Sequence, residues 1–180
     1  MRYVDEYRAP EQVLQLIDRL KTRASLLDYT KEKPLRIMEV CGGHTHAIFK
    51  FGLDQLLPEN IEFIHGPGCP VCVLPMGRID SCLDIASRPG VIFCTFGDAM
   101  RVPGKNGSLL QAKARGADVR IVYSPMDALT LAMANPERKV VFFGLGFETT
   151  MPATAITLQQ AKARNVTNFY FFCQHITLIP

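Results

Sequence analysis

The sequence is short of the motifs that most often give an α/β protein its chemistry. It has no G-x-x-x-x-G-K-[ST] phosphate loop, and its glycine pair Gly144-x-Gly146 is followed by Thr149 where a dinucleotide fingerprint needs a third glycine. It has no G-x-S-x-G nucleophile elbow. Ordinary nucleotide binding and serine-based acyl transfer are therefore unsupported. An excess of one charge is missing too: 20 Lys and Arg stand against 17 Asp and Glu, a net +3 dispersed along the chain, which does not argue for a nucleic-acid partner. The apolar runs are far shorter than a membrane span, and Met1-Arg2-Tyr3-Val4-Asp5-Glu6-Tyr7-Arg8 is too charged for a secretory signal. These absences predict a cytoplasmic protein. Thiols there stay mostly reduced, so clustered cysteines are expected to bind metal or do chemistry rather than form structural disulfides.

What is present is enough for a core: 180 residues, 48% of them hydrophobic. Residues 10–28 place Val13, Leu16, Ile17, Leu20, Ala24 and Leu27 on one face, the pattern of an amphipathic helix, and a polar link over residues 30–34 follows. One theme then repeats. Short apolar runs (35–40, 61–65, 91–96, 119–123, 140–145 and 169–173) alternate with Gly, Pro or Ser breaks and amphipathic segments. This predicts parallel βαβ units in a doubly wound α/β fold. We expect a helix over 1–30, a first α/β domain over 31–136, and the start of a second over 137–180, divided at the polar Pro136-Glu137-Arg138-Lys139. The apolar run 169–173 has no element after it to cover it, so the chain reads as cut in mid-fold.

The chemistry gathers behind the strands. Cys41-Gly42-Gly43-His44-Thr45-His46 follows the first run and precedes a helix expected over 47–57. A thiol is thereby set where a strand stops and a helix begins, a place where ligands bind in open α/β sheets. Gly42 and Gly43 let a bound group approach closely. His44 is placed to orient the thiolate, or both histidines simply pack. Gly66-Pro67-Gly68-Cys69-Pro70-Val71-Cys72 follows the second run, and its C-x-x-C can hold a metal or close a reversible disulfide. There is no second C-x-x-C, so a zinc site would have to borrow from Cys41, His44, His46 and His65. Two more strand-end loops carry Asp98 with Arg101, and Glu148 with Thr149 and Thr150. The first reads as a surface ion pair or a cleft residue, the second as a helix start or a cleft carboxylate. Their shared location predicts one composite cleft. Cys82, Cys94 and Cys173 stand where apolar residues are expected and read as buried thiols.

Taken together, Cys41 to His46, Gly66 to Cys72, Gly97-Asp98-Ala99-Met100-Arg101-Val102-Pro103-Gly104 and Gly146-Phe147-Glu148-Thr149-Thr150 resemble the HypD family of hydrogenase maturation factors. The resemblance covers the whole chain. It implies a scaffold for assembling the iron dicyano-carbonyl group of nickel-iron hydrogenases, working with HypC and with cyanide delivery by HypE and HypF. It further implies that Cys41 ligates the iron, that Cys69 and Cys72 are a redox-active dithiol, and that His44, Asp98 and Glu148 belong to the cleft. Soft, low-spin iron suits a thiolate, and Gly42 and Gly43 leave room for diatomic ligands. The family is about twice this length and carries a four-iron four-sulfur cluster on C-terminal cysteines. Cys82, Cys94 and Cys173 lack the spacing such a cluster needs, so none is expected on this chain alone. Two other readings stand beside this one: a thiol-disulfide oxidoreductase using Cys69 and Cys72, and a zinc-binding α/β domain.

Overall fold

The computed structural model describes residues 9–178. The charged N-terminal stretch 1–8 and residues 179–180 lie outside the described residues. The chain forms two compact units, Met1–Cys69 and Pro70–Pro180.

The first unit opens with α1 (Pro10–Ala24), which has Pro10 at its start, Glu11 in its first turn, and Lys21 and Arg23 in its last. All three charges complement the helix dipole. It ends four residues before the end of the segment expected from periodicity, because Ser25, Leu26 and Leu27 turn back onto the carbonyls of Lys21, Arg23 and Ala24. Asn60 then ties the helix end down, its amide donating to the carbonyls of Ala24 at 2.7 Å and Tyr29 at 3.3 Å. The rest of the unit is β1 (Leu35–Glu39), α2 (Gly42–Lys50), α3 (Leu53–Leu56) and β2 (Ile61–His65). The strands pair in parallel from Leu35 opposite Ile61 to Glu39 opposite His65. Gly52, with φ of +60°, takes the left-handed turn between α2 and α3 that a side chain would resist.

The second unit runs α4 (Pro70–Val73), α5 (Met76–Ala86), β3 (Val91–Thr95), α6 (Leu109–Ala114), β4 (Val119–Ile121), α7 (Pro125–Ala134), β5 (Lys139–Gly146), α8 (Met151–Ala163) and β6 (Phe169–His175). Its four strands form one parallel sheet in the order β4-β3-β5-β6. Every residue of β3, and every residue of β5 after Lys139, is buried, as strands covered on both faces must be. Phe93 and Phe143 face Ile79, Cys82, Leu83 and Leu109 of α5 and α6, while Ile92, Cys94 and Phe142 face Ala128 and Ala132 of α7. Helices thus cover both faces, and the sheet is doubly wound. Ser108 with Gln111 and Ser124 with Asp127 form capping boxes that start α6 and α7.

The strands fall into a pair and a set of four, and the division of the chain lies between Cys69 and Pro70 rather than near residue 136. Pro136 to Lys139 is only the turn into β5, which pairs with β3 on one side and β6 on the other. β5 and β6 therefore belong to the same sheet as β3 and β4. From β3 the chain steps outward to β4, then returns across β3 to β5 and β6. This reversal puts a topological switch point between the carboxyl ends of β3 and β5.

Candidate functional site

Cys41 is the N-cap residue of α2, with extended backbone angles of φ −130° and ψ 120°. Its carbonyl accepts the N–H groups of His44 at 2.8 Å and Thr45 at 3.0 Å. The first helical turn thus closes on the cysteine itself, and α2 begins at Gly42 rather than at the expected Ala47. The Cys41 side chain makes no cap hydrogen bond, and the positive end of the helix dipole lies near the half-buried thiol. A Cβ on Gly43 would stand 3.6 Å from Cys41 Sγ, and one on Gly42 would meet nothing within 4 Å. Gly43 therefore leaves free the space beside the sulfur that a side chain would enter. His44 and His46 are exposed on α2, and among the described residues neither ring hydrogen-bonds the thiol.

The group that holds this junction is Glu39, which sequence reasoning passed over as a strand residue. Its side chain is only 9% exposed. One carboxylate oxygen accepts the Cys41 N–H at 3.0 Å; the other accepts the Thr45 hydroxyl and meets His65 Nδ1 at 2.9 Å. The Thr45 and His65 hydrogen bonds, with the Cys41 N–H behind them, hold the Glu39 carboxyl down at about 2 from an ordinary 4.5. His65 is the parallel-sheet partner of Glu39, and its ring lies 4.8 Å from that of Phe49 on α2. The only signal in the sequence was positional: an acid at the last strand position, two residues before the thiol.

The backbone of Glu39 is engaged as well, its carbonyl accepting the Gly66 N–H at 2.8 Å. A Cβ on Gly66 would sit 2.8 Å from that same oxygen, so only glycine lets the two loops pass. Gly68 adopts φ of +104° on the way to the C-x-x-C. Cys69 and Cys72 are both disulfide-bonded, while Cys41, Cys82, Cys94 and Cys173 are free thiols.

In the second unit, Asp98 and Glu148 follow β3 and β5 and so flank the switch point. Asp98 is exposed and starts a 3-10 turn over Ala99–Arg101, its carboxylate accepting the Ala99 N–H at 2.9 Å. Among the described residues no ion pair joins it to Arg101. Glu148 opens a second 3-10 turn, Glu148–Thr150, and accepts the Leu178 N–H at 2.5 Å. Thr150 does not cap α8 with its hydroxyl, which donates instead to the Phe147 carbonyl at 2.9 Å. Cys173 corrects the expectation of burial: it is exposed on the edge strand β6, with Sγ 3.7 Å from His175 Nδ1. Burial lowers the pKa of His175.

The expected site residues fall into two groups. Cys41, Gly42, Gly43 and His44 gather at the Glu39 junction of the first unit, and Asp98 and Glu148 share the sheet end of the second. Among the described residues no group of three or more His, Cys, Asp or Glu could hold a metal ion, so the zinc reading has no ligand set. Cys82 and Cys94 are fully buried, and burial pushes both thiols up to about 12. Protonated and enclosed, with Cys173 on the surface, they do not fit a four-iron four-sulfur cluster. No helix among the described residues is long and apolar enough to cross a membrane.

Fold and site define a doubly wound, parallel α/β protein with a free thiol behind its first strand and a C-x-x-C motif behind its second. The chain belongs to the HypD family, described as the hydrogenase formation hypA family, whose profile matches residues 11–180. It is similar to hydrogenase maturation factor HypD of Escherichia coli strain K12, 87% identical over 180 residues that make up 100% of this chain and 48% of the relative. The HypD of Rhodobacter capsulatus is 60% identical over 178 residues, 99% of this chain and 47% of the relative. HypD2 of Bradyrhizobium diazoefficiens is 52% identical over 181 residues, 100% of this chain and 46% of the relative. The chain spans about half the length of the relatives it matches.

Proposed function

We propose that the chain serves hydrogenase maturation as a scaffold on which the iron dicyano-carbonyl group of nickel-iron hydrogenases is assembled. The iron group is cargo. Cys41 supplies one thiolate, HypC a second, and the HypE and HypF system delivers cyanide. Family membership supports the role, and one observation supports the choice of Cys41: its free thiol stands at a helix start beside Gly43, where a Cβ would come within 3.6 Å of Sγ, and its N–H is held by the Glu39 carboxylate. Thiolate is a suitable donor for soft iron, and the bare glycine flank leaves room for diatomic ligands. In this reading Cys69 and Cys72, disulfide-bonded here, are first reduced to two thiols by an external dithiol, taking up two electrons and two protons, and pass the same two electrons and two protons on when they are oxidised again. His44, Asp98 and Glu148 handle protons at their respective strand ends.

The test is an infrared spectrum of the anaerobically purified protein, co-produced with HypC and the cyanide-delivery proteins, beside a Cys41→Ala control. Carbonyl and cyanide stretches that vanish in the control are the expected result. Bands that persist in Cys41→Ala remove Cys41 from the role. The disulfide state of Cys69 and Cys72 favours one second reading, a thiol-disulfide oxidoreductase. That activity would survive Cys41→Ala.

A further inference from the structure

Cys41 caps its helix without a side-chain oxygen of its own, so something else must fix the backbone that carries the thiol. Three donors converge on Glu39: the Cys41 N–H from the cap, the Thr45 hydroxyl from the first turn of α2, and the His65 ring from the end of β2. The carboxylate is nearly enclosed, and its own backbone carbonyl is bound by Gly66. A group gripped by both strands and by the helix cannot shift without moving Cys41. We infer that Glu39 is the positioning residue for Cys41, holding the thiol in the one orientation from which it can take a thiophilic metal group. This rests on the reading of Cys41 as the iron ligand. Partners that orient a metal-binding side chain commonly change affinity by about 10- to 100-fold when removed.

The geometry also says what a substitute must do. A glutamine keeps one oxygen for the Cys41 N–H and turns its NH2 toward the Thr45 oxygen and a His65 nitrogen, both of which can accept. An alanine keeps nothing. The experiment compares Glu39→Ala and Glu39→Gln in the protein co-produced with HypC and the cyanide-delivery proteins, reading bound iron, the carbonyl and cyanide bands, the melting temperature, and hydrogen exchange at the Cys41 amide. Glu39→Ala is expected to lose iron and band intensity by about 10- to 100-fold and to speed exchange at the Cys41 amide more than at the amides of β1 and β2, with a lowered melting temperature, whereas Glu39→Gln restores iron and Cys41 protection. Iron binding by Glu39→Ala at the parental level, or an unchanged Cys41 amide, overturns the inference. If Glu39→Ala does not fold, Thr45→Val removes one of the three donors, and a smaller loss of the same kind is expected; parental behaviour there overturns it equally. Iron retained by Cys41→Ala would refute the iron-ligand reading instead, and the amide exchange would still decide the role of Glu39.

Discussion

Substituting glycine by alanine at two positions of this protein should move stability in opposite directions. At Gly66 the added Cβ lies 2.8 Å from the Glu39 carbonyl oxygen, 3.1 Å from Val40 Cγ1 and 3.2 Å from Met38 Cγ. The first of these atoms is backbone, and it accepts the Gly66 N–H at 2.8 Å, so the clash is relieved only by lengthening that bond. Overpacking together with a weakened hydrogen bond should cost about 2–4 kcal/mol, a large part of a stability of about 5–15 kcal/mol. At Gly77, in the first turn of α5, a Cβ meets nothing within 4 Å. There the same change should stabilise by about 0.5 kcal/mol through the entropy of the unfolded chain. The assay is native-state amide exchange across a urea series, read in β1 and β2 for Gly66→Ala and in α5 for Gly77→Ala. A Gly66→Ala protein whose β1 and β2 amides are as protected as the parent's would refute the argument that this crossing admits only glycine.

Two further outcomes follow from the site and the core. The Glu39 carboxyl is held at about 2 against an ordinary 4.5, so its contribution to the junction is fully present above pH 4.5 and is lost as pH falls from there through 2. A carboxyl-carbon NMR titration should place its midpoint well below 4.5, and an unshifted midpoint would mean that the three hydrogen bonds are not held in solution. Brief treatment of the folded protein with iodoacetamide should modify exposed Cys173 first and Cys41 more slowly. Cys82 and Cys94, fully buried and pushed up to about 12, should react only after denaturation; rapid labelling of Cys94 in the native protein would contradict the packing of β3.

The six strands were legible because each is a short apolar run between glycine, proline or polar breaks, and the observed strands fall on those runs. The partition of the strands into two and four was not legible, because parallel runs look alike whichever sheet they join. Propensity misplaced the start of α2, since Gly42 and Gly43 argue against helix and the Cys41 carbonyl, closing the first turn, overrides them. Cys173 looked like core because its neighbours are aromatic, yet β6 is an edge strand, and a run of apolar residues does not announce which side of it will be left open. Glu39 was invisible for a related reason. Its importance lies in facing His65 across the sheet, and that register exists only once β1 and β2 have paired.

The contact between β5 and β6 has a consequence for how such sequences can drift. The Phe171 ring lies where a Cβ on Gly144 would stand, and it stacks on Phe142. Position 144 cannot gain a side chain while the aromatic at 171 stays. A lineage that acquires alanine at 144 must first surrender the aromatic at 171, and one that keeps the aromatic inherits the glycine with it. The order of change at two sites far apart in the chain is thereby fixed, 171 before 144.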